Sequence, residues 1–341
     1  MRMAYLFVSN VQHEEVAHRR GEVPSHRLFF AVELRELGHD VHLCPWRVPS
    51  WVPGAAQWWK VAQAIWCAVI QGRLDAVVCT HEAAANAPLL LKAMGVLRVP
   101  VVVLTVAATG EPYRADDLAG RVRRRLLREA DRLCTFSSAQ VRQLAEILGI
   151  DERRVSFVPL GVDTDFFRPR VGRPRLDYVL AVGTNEGKDY PTLVRALSPG
   201  ERLVVVTDED NISQARAVMS DQDVTFRSHV PISELREMYL ECRVMVLPLR
   251  DIGISTGQTV LLENLAAGTP VVVSDIPAVA DYVGGGANPV VVPPGDVAGL
   301  RRALQSVGSA GADDTTPPRS AKDSADLLAG LIRRETVRGS S

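Results

Sequence analysis

The sequence lacks several features that would assign it to a specialised class of protein. Its 341 residues carry a formal net charge of -1. There is thus no basic excess of the kind that nucleic-acid binding proteins show. No apolar run approaches the ~20 residues needed to span a membrane, and no internal repeat of solenoid length occurs. We therefore expect an ordinary globular protein that has no nucleic-acid partner.

The cysteines indicate neither a zinc site nor a disulfide framework. They are odd in number, widely spaced and without a C-x-x-C pair: Cys44, Cys67, Cys79, Cys134 and Cys242. This pattern favours a reducing compartment. Because the first apolar run begins close to Met1, we expect no signal peptide. The prediction is a cytoplasmic protein with no bound metal and no cofactor.

Short apolar runs alternate with helical patterns along the chain, beginning with a helix predicted at His26–Leu37. The strands predicted in the first half are Ala4–Ser9, Asp40–Leu43, Ala76–Cys79, Val101–Leu104, Arg132–Phe136 and Val155–Pro159. Those predicted in the second half are Tyr178–Val182, Arg202–Thr207, Val224–Phe226, Val244–Leu247, Val271–Ser274 and Pro289–Val292. Continuous apolar runs are typical of parallel strands that are covered on both faces. The pattern predicts an α/β protein with two doubly wound, Rossmann-like domains.

A polar stretch rich in proline and arginine, residues 167–175, is predicted to link the two domains. We expect an N-terminal domain at 1–168 and a C-terminal domain at 169–310. Residues 311–341 would form a loop and a helix at Ser324–Arg334. This helix has an apolar face with which it can pack back on the N-terminal domain.

The segment 251–275 carries the clearest chemical signal. A polar turn leads through Gly257 into a helix predicted from Gln258. The N-terminus of such a helix offers free N–H groups and a partial positive charge, so it can cradle a diphosphate. Glu263 lies in the same helix, and its carboxylate can accept two hydrogen bonds from a ribose diol. A helix cap and a surface glutamate explain the same residues, and both interpretations stay open on these patterns alone.

Residues 263–272 (ENLAAGTPVV) resemble the E-A-M-A-x-G-x-P-V-V signature of retaining GT-B glycosyltransferases, the glycogen-synthase-like group 1 or family 4 type. Residues 158–169 resemble that family's interdomain segment, N-G-V-D-x-x-x-F-x-P. Residues 181–189 resemble its V-G-x…K-(G/D) segment, and residues 292–296 its V-P-P-G-D turn. The resemblance implies a GT-B architecture, in which two Rossmann-like domains face each other across a cleft.

The resemblance also implies an activity. A sugar would pass from a nucleotide-diphosphate sugar, UDP- or GDP-linked, to a small-molecule, lipid or glycan acceptor with retention of anomeric configuration. Attack would occur on the front face, and the leaving diphosphate would accept the proton of the acceptor. Such a scheme needs neither a carboxylate nucleophile nor a metal, and it depends on positioning and on charge stabilisation.

The resemblance assigns donor-site roles at matching positions. Lys188 would hold the diphosphate and Glu263 the ribose, while Lys188 and Ser255 are candidate catalytic residues. A solvated surface lysine is the alternative interpretation of Lys188. The other implied donor residues are Gly183, Thr184, His229, Val230, Thr256, Gly257, Gln258 and Thr259.

Three residues that the family often carries are replaced here. Ser255 stands in place of the first of two paired glutamates, Thr184 in place of an arginine, and Ala107 in place of a histidine. These replacements keep two alternatives open. One is a catalytically silent homologue that binds a nucleotide sugar or a partner. The other is a sugar-nucleotide epimerase, which would need acid and base side chains that Ser255 and Ala107 do not supply.

The acceptor side is predicted to include Gly21, His26, His81 and Thr105. The glycine lies in the loop expected after the first strand, close to the predicted helix that contains His26. His81 follows a strand, at the edge where doubly wound sheets bind their ligands, and it is also a candidate catalytic residue. A capping or merely packed histidine explains His81 equally well.

All five tryptophans fall between Trp46 and Trp66. An aromatic wall for the acceptor, a contact with a membrane or partner, and core packing of Trp58, Trp59 and Trp66 are three open interpretations. A basic run at 121–128 (RVRRRLLR) is expected to be a solvated helix face. Contact with a membrane is therefore not the favoured interpretation.

Overall fold

A computed structural model describes residues 1–46, 48, 51–170, 174–284, 289–307 and 318–339. The chain divides into two compact units. The first unit comprises Met1–Gly21, Ser25–Leu160 and Ala321–Ser341. The second comprises Glu22–Pro24 and Gly161–Ser320. The first unit is thus assembled from stretches of chain that lie on both sides of the second.

Every strand pairs in parallel with its neighbours. The first unit contains β1 (Arg2–Leu6), β2 (Asp40–Leu43), β3 (Ala76–Cys79), β4 (Val101–Thr105), β5 (Arg132–Thr135) and β6 (Val155–Phe157), in the order β2-β1-β3-β4-β5-β6. The second contains β7 (Leu176–Val182), β8 (Arg202–Val206), β9 (Asp223–Arg227), β10 (Cys242–Leu247), β11 (Val271–Ser274) and β12 (Val290–Val292), in the order β12-β11-β10-β7-β8-β9. Both orders are those of doubly wound sheets.

The helices of the described residues flank these sheets. Those that precede the second unit's sheet are α1 (Gln12–Arg19), α2 (Ala31–Glu36), α3 (Ala55–Ile70), α4 (Glu82–Ala93), α5 (Glu111–Arg114), α6 (Leu118–Leu127) and α7 (Ala139–Leu148). Those that follow are α8 (Tyr190–Ala196), α9 (Glu209–Arg216), α10 (Ile232–Glu241), α11 (Gln258–Ala266), α12 (Val297–Ser306) and α13 (Ala321–Gly339). Within the described ranges, no helix is long and apolar enough to cross a membrane.

The core of the first unit has two layers because its central strands are buried on both faces. Residues of α3, α4, α6 and α7 pack on one face of the sheet. Residues of α2 and α13 pack on the other face. In the second unit, α8 and α12 pack together against β7, β8 and β10. The predicted α/β class with two Rossmann-like domains is therefore confirmed.

The structure corrects the elements that were predicted near the start of the chain. The first strand is Arg2–Leu6 rather than Ala4–Ser9, and the polar helix α1 was not predicted. The single helix predicted at His26–Leu37 is interrupted after a 3-10 turn, because Phe29 and Phe30 adopt φ angles of 45° and 69°. This break directs the Phe30 ring into the core, where it is fully buried.

The two units separate between Leu160 and Gly161 rather than at residue 168. The segment after Gly161 already packs within the second unit: the buried Phe167 ring lies 6.0 Å from the Tyr239 ring. The predicted linker is likewise tied to this unit where it is described. The guanidinium of Arg175 donates to the carbonyl oxygens of Cys242 and Gly268, at 3.1 and 2.6 Å. Part of that linker, residues 171–173, lies outside the described residues.

The helix predicted at Ser324–Arg334 lies within α13, which packs against the sheet of the first unit. A buried ion pair anchors its far end. Arg132 on β5 donates from Nε to Oε1 of Glu335 at 3.0 Å, and both residues are 6% exposed. Arg132 also bonds to the carbonyl oxygen of Arg153. Since the two charges are desolvated, each depends on the other.

We expect Glu335→Ala to lower the free energy of unfolding of the first unit by about 3 kcal/mol, because it strands the buried Arg132 charge. Urea unfolding followed by tryptophan fluorescence measures this unit alone, since all five tryptophans lie within it. Glu146→Ala is the control, because it breaks an exposed pair with Arg142 and should cost less than about 0.5 kcal/mol. Equal losses in the two variants would contradict the anchoring role.

Candidate functional site

The second sheet changes direction between β7 and β10. From β7 the order continues outward through β8 and β9, and from β10 it continues through β11 and β12. The chain continues from two such strands to helices on opposite faces of the sheet, and doubly wound sheets bind ligands in the crevice beyond the carboxyl ends of these strands. The loop after β7 contains residues 183–189, and the loop after β10 contains residues 248–257.

Backbone bonds join these two loops. Lys188 and Leu249 form an antiparallel bridge. Arg250 N donates to Gly187 O at 2.9 Å, and Asp189 N donates to Pro248 O at 2.8 Å. The Lys188 side chain is thereby fixed at the meeting point of the loops.

Lys188 is a buried cation. Its side chain is almost fully enclosed, at 3% exposure, and its Nζ donates to Oγ1 of Thr256 at 3.4 Å. Burial lowers the pKa of the Lys188 ammonium to about 8. In the part of the chain that the structure describes, no carboxylate lies within ion-pair distance of Nζ. The interpretation of Lys188 as a solvated surface lysine is therefore wrong.

Gly183 provides the space that the lysine occupies. Its φ angle is +142°, and a Cβ added there would lie 2.1 Å from Lys188 Cε. The hydroxyls of Tyr190 and Thr207 both donate to Gly183 O, at 2.6 and 2.7 Å. Two donors on one carbonyl hold the backbone in this left-handed conformation, which a residue with a side chain rarely adopts.

Asn185 belongs to the same cluster, and the sequence patterns did not predict it. Its Nδ2 lies 2.7 Å from Oγ1 of Thr256, which is itself 3% exposed. Asn185 Oδ1 lies 3.2 Å from the Gly187 N that donates to it. The Asn185 amide therefore connects the hydroxyl beside Lys188 to the loop backbone. The sequence feature that could have identified Asn185 was its position between Gly183 and Lys188 in a polar loop.

Gly257 is the N-cap of α11 and directly follows Thr256 in the chain. Gly257 has φ +84°, and a Cβ there would approach Leu249 Cδ1 to 2.7 Å. The side chain of Gln258 is committed elsewhere, since Nε2 donates to Ala278 O at 2.8 Å. This hydrogen bond holds the Gln258 amide toward Ala278. Ser255 is buried, and Thr259 is exposed.

Glu263 is buried near the middle of α11. Its Oε2 accepts from the hydroxyl of Tyr239 at 3.1 Å, and the residue is 5% exposed. The interpretation of Glu263 as a surface glutamate is therefore wrong. Tyr239 lies on α10, 24 positions away in the chain, and no pattern in the sequence connected the two.

Three predicted donor residues lie at the rim of the sheet. Thr184 follows β7 and is exposed. His229 follows β9 and is exposed, with a left-handed φ of 55°. Val230 beside it is half-buried. No hydrogen bond or ion pair among the described residues connects these side chains to Lys188.

In the first unit, His81 caps α4 by accepting from Ala83 N on its Nδ1, at 3.0 Å. A neutral ring with Nδ1 so occupied carries its proton on Nε2 and donates there. The next residue, Glu82, is buried and accepts from Val106 N at 2.9 Å and from Ala107 N at 2.7 Å. Glu82 thus fixes the loop in which the expected histidine is replaced by Ala107, a role that was not predicted.

The other predicted acceptor-side residues are dispersed. The hydroxyl of Thr105 is buried and donates to Cys134 O at 3.1 Å, so it serves the sheet. Gly21 lies after α1, with φ +72°, rather than directly after the first strand. His26 is half-buried in the 3-10 turn Ser25–Leu28. Nowhere in the described ranges do three His, Cys, Asp or Glu side chains form a cluster that could hold a metal ion.

Comparison with known proteins assigns a family model to each of the two units. A family model described as Glycosyltransferase Family 4 matches residues 16–166, and one described as Glycosyl transferases group 1 matches residues 179–309. The chain belongs to the group 1 and family 4 glycosyltransferases. The second match contains every predicted donor residue, including Lys188 and Glu263.

This glycosyltransferase chain is 30% identical over 197 residues to glycogen synthase from Mycobacterium tuberculosis. That match covers 53% of this chain and 46% of the synthase, so the chain spans about half the length of this curated relative. Sucrose-phosphate synthase from Thermosynechococcus elongatus superposes with a TM-score of 0.71 at 15% identity, over 100% of both chains. Anabaena HepE, solved in complex with UDP and glucose, has a TM-score of 0.63 at 14% identity, over 99% and 98% of the two chains. These likenesses confirm the GT-B fold.

In the glycosyltransferase chain, we expect Gly183→Ala to lower the free energy of unfolding by about 3 kcal/mol, because of backbone strain and overlap with Lys188. Gly200→Ala is the matched control. Its φ is also positive, at +83°, but no atom lies within 4 Å of the added Cβ, so it should cost about 1 kcal/mol. Denaturant unfolding followed by far-ultraviolet circular dichroism measures both.

The double variant Gly183→Ala/Lys188→Ala separates overlap from strain. Shortening the lysine removes the atom that the new Cβ meets, so the second substitution should restore part of the lost stability. Additive losses would contradict the assigned contact between Gly183 and Lys188.

Proposed function

We propose that this chain transfers a sugar from a nucleoside-diphosphate sugar to an acceptor, with retention of anomeric configuration. The observation that carries the proposal is the buried ammonium of Lys188. A charge removed from water is costly unless an opposite charge offsets it. Among the described residues, the only side-chain partner of Nζ is the neutral hydroxyl of Thr256, at 3.4 Å. A bound diphosphate would supply the missing negative charge.

The N-terminus of α11 would supply a second source of positive potential. Gly257 lets an anion approach the backbone, and the first amides of the helix point toward its N-terminal end. Together with Lys188, these amides would stabilise the negative charge that develops on the leaving diphosphate. The diphosphate would then accept the proton of the acceptor, so the proposed transfer requires neither a metal nor a carboxylate nucleophile.

We assign the ribose of the donor to Glu263. The hydroxyl of Tyr239 occupies Oε2 of this carboxylate at 3.1 Å and holds it in one orientation. A carboxylate has about four lone-pair sites and can therefore accept hydrogen bonds from several donors at once, as binding of a ribose diol beside Tyr239 would require. His229 and Val230 would border the base, which we propose to be uracil or guanine. The complex of Anabaena HepE with UDP and glucose supports the uracil choice.

Ser255 and Asn185 would contact the donor sugar and so determine which sugar is accepted. The buried Ser255 hydroxyl stands where the family often has a carboxylate, and the Asn185 amide lies 2.7 Å from the hydroxyl of Thr256. Neutral hydroxyl and amide groups would replace a charged contact in holding the sugar. His81, with Gly21 and His26, would serve a small-molecule, lipid or glycan acceptor. Five free cysteines support a cytoplasmic location.

The first test is the thermal stability of the full chain against nucleoside diphosphates and their sugars. Tight binding raises stability by about 2.7 kcal/mol at a hundredfold excess over Kd. We expect a clear rise with one nucleotide series and loss of that rise in Lys188→Met, which keeps the apolar stem. Arg302→Met, at an exposed position on α12, is the control and should respond like the parent.

Product formation then separates transfer from the alternatives. Release of free nucleoside diphosphate that depends on an acceptor supports a transferase. Binding without turnover over a broad acceptor panel would favour the silent homologue, and interconversion of sugars on an intact nucleotide would favour the epimerase. A complete absence of nucleotide binding would overturn the donor-site assignment itself.

The affinity for the nucleoside diphosphate should depend on pH through Lys188. Since the pKa of this lysine is lowered to about 8, the free protein loses the ammonium as pH rises through 8. The bound diphosphate favours the charged form, so Kd should be lowest near pH 7 and rise by up to about tenfold per unit above 8. Isothermal titration calorimetry between pH 6 and 9.5 measures this. A Lys188→Arg variant stays charged throughout, so any binding that it retains should lack the rise.

Glu263→Gln should weaken binding of the nucleoside diphosphate by about tenfold, because an amide accepts hydrogen bonds through only one oxygen and carries no charge. Tyr239→Phe is the informative companion, since it frees Oε2 without touching the carboxylate and should weaken binding less. A ribose-free ligand, inorganic pyrophosphate, should bind equally to all three proteins. If pyrophosphate affinity fell together with that of the nucleotide, the ribose assignment would be wrong.

A further inference from the structure

Helix α3 exposes a continuous apolar stripe. Four of its residues point outward although they are large and apolar: Trp58, Val61, Ile65 and Val69, with exposures of 57, 38, 47 and 72%. Their spacing of three and four positions places them in one row along the helix. The opposite side of α3 is already used, because Trp59, Trp66 and Cys67 are buried in the core of the first unit. The core-packing interpretation therefore holds for Trp59 and Trp66 but not for Trp58.

The stripe is part of a wider surface. Helices α3, α4 and α6 cover the same face of the sheet, and α4 packs against both of the others. Leu90 of α4 and Met94, which directly follows α4, are 50 and 65% exposed, and Leu118 and Val122 of α6 are 78 and 49% exposed. In the segment that leads into α3, Trp46 and Trp51 are 42 and 81% exposed. We call the exposed residues of α3, α4 and α6, together with Trp46 and Trp51, the α3 surface.

The α3 surface has positive charge and no exposed carboxylate within its three helices. Helix α3 contains no Asp or Glu, and the only acidic residue of α4, Glu82, is buried. Helix α6 contains none either, while its Arg121 and Arg125 are exposed. The two aspartates that precede α6 are exposed: Asp117 accepts from Gly120 N at 2.6 Å, and the Asp116 side chain, which is 93% exposed, lies 3.4 Å from Arg124.

The exposed tryptophans, aliphatic side chains and arginines of the α3 surface together favour one kind of binding partner. Exposed apolar patches of this extent mark contacts that are made in function. Indole rings favour the boundary between headgroups and acyl chains, where their apolar body and their N–H group are both satisfied. Arginines beside them match lipid phosphates. A second copy of the chain, paired through the same surface, would place positive charge on both sides of the interface without an opposing charge.

We propose that the α3 surface binds the headgroup region of a bilayer that contains anionic lipid. The indoles of Trp46, Trp51 and Trp58 enter the interface, and Arg121 and Arg125 contact lipid phosphates. Attachment is peripheral, since no described helix can span a membrane. This inference is independent of the proposed transferase activity, because none of these residues belongs to the donor site.

The location of the tryptophans makes the test direct. No tryptophan lies outside 46–66. Trp46, Trp51 and Trp58 belong to the α3 surface, and Trp59 and Trp66 are buried in the core beneath it, so a vesicle-dependent change in intrinsic fluorescence reports on this region of the first unit. We expect a blue shift, and quenching by lipids brominated on the acyl chain, when the full chain meets phosphatidylcholine vesicles with about 30% phosphatidylglycerol. Neither signal should appear with phosphatidylcholine alone, because an anionic surface adds about fivefold in affinity for each nearby arginine.

Vesicle flotation of variants assigns the contact to residues. Trp51→Ser/Ile65→Gln/Val69→Gln and Arg121→Glu/Arg125→Glu should each reduce vesicle binding at least about tenfold. The matched controls lie in the second unit: Leu176→Gln removes an apolar side chain that is 52% exposed, and Arg302→Glu reverses an exposed charge. Both controls should float like the parent. Glu263→Gln should also float normally, which keeps the result separate from that of the donor-site test.

Three results would overturn the proposal: no flotation of the parent chain, equal flotation of all variants, or quenching that is unchanged by removal of the anionic lipid. A concentration-dependent dimer that Ile65→Gln abolishes, without vesicle binding, would assign the α3 surface to a second copy instead. Thermal melting checks that each variant is folded. Bromolipid quenching of the parent chain needs no variant and supports or refutes the contact by itself.

Discussion

The unneutralised ammonium of Lys188 is the constraint around which the second unit is organised. A short antiparallel bridge to Leu249 fixes the backbone on either side of it, and the absence of a side chain at Gly183 makes room for its stem. Hydroxyl and amide groups of Thr256 and Asn185 surround the charged end without neutralising it. The folded state thus carries a local electrostatic cost, which the proposed diphosphate would remove. On that proposal, stability is exchanged for affinity, as is common where a site is prepared before its ligand arrives.

The sequence predicted most of the sheet framework because burial on both faces leaves a simple pattern. The runs that became β4 and β11 are apolar at almost every position, and their strands lie where the runs do. Two features near the start could not be predicted. Helix α1 buries no residue and so has no apolar period to detect. The interruption at Phe29 and Phe30 requires left-handed phenylalanines, which local propensity disfavours.

For the site, motif spacing identified Lys188, Gly257 and Glu263, whereas the residues that orient them were missed. Tyr239 and Asn185 act through partners 24 and 71 positions away, and only the folded chain brings such pairs together. The tryptophans show the same limit of prediction from sequence. Helix α3 is apolar on its inner and outer sides, so its period does not say that Trp59 faces the core while Trp58 faces outward.

The return of the last helix to the first unit has a consequence for synthesis. The second unit is nearly continuous from Gly161 to Ser320, whereas the first unit is complete only when Ala321 and the residues after it are available. During translation, the later-made unit can therefore finish folding while the earlier one still lacks a side of its core. In that interval, Arg132 lacks Glu335, and the face of the sheet that α13 will cover stays open. The nascent first unit is thus the part of the chain most in need of protection by chaperones.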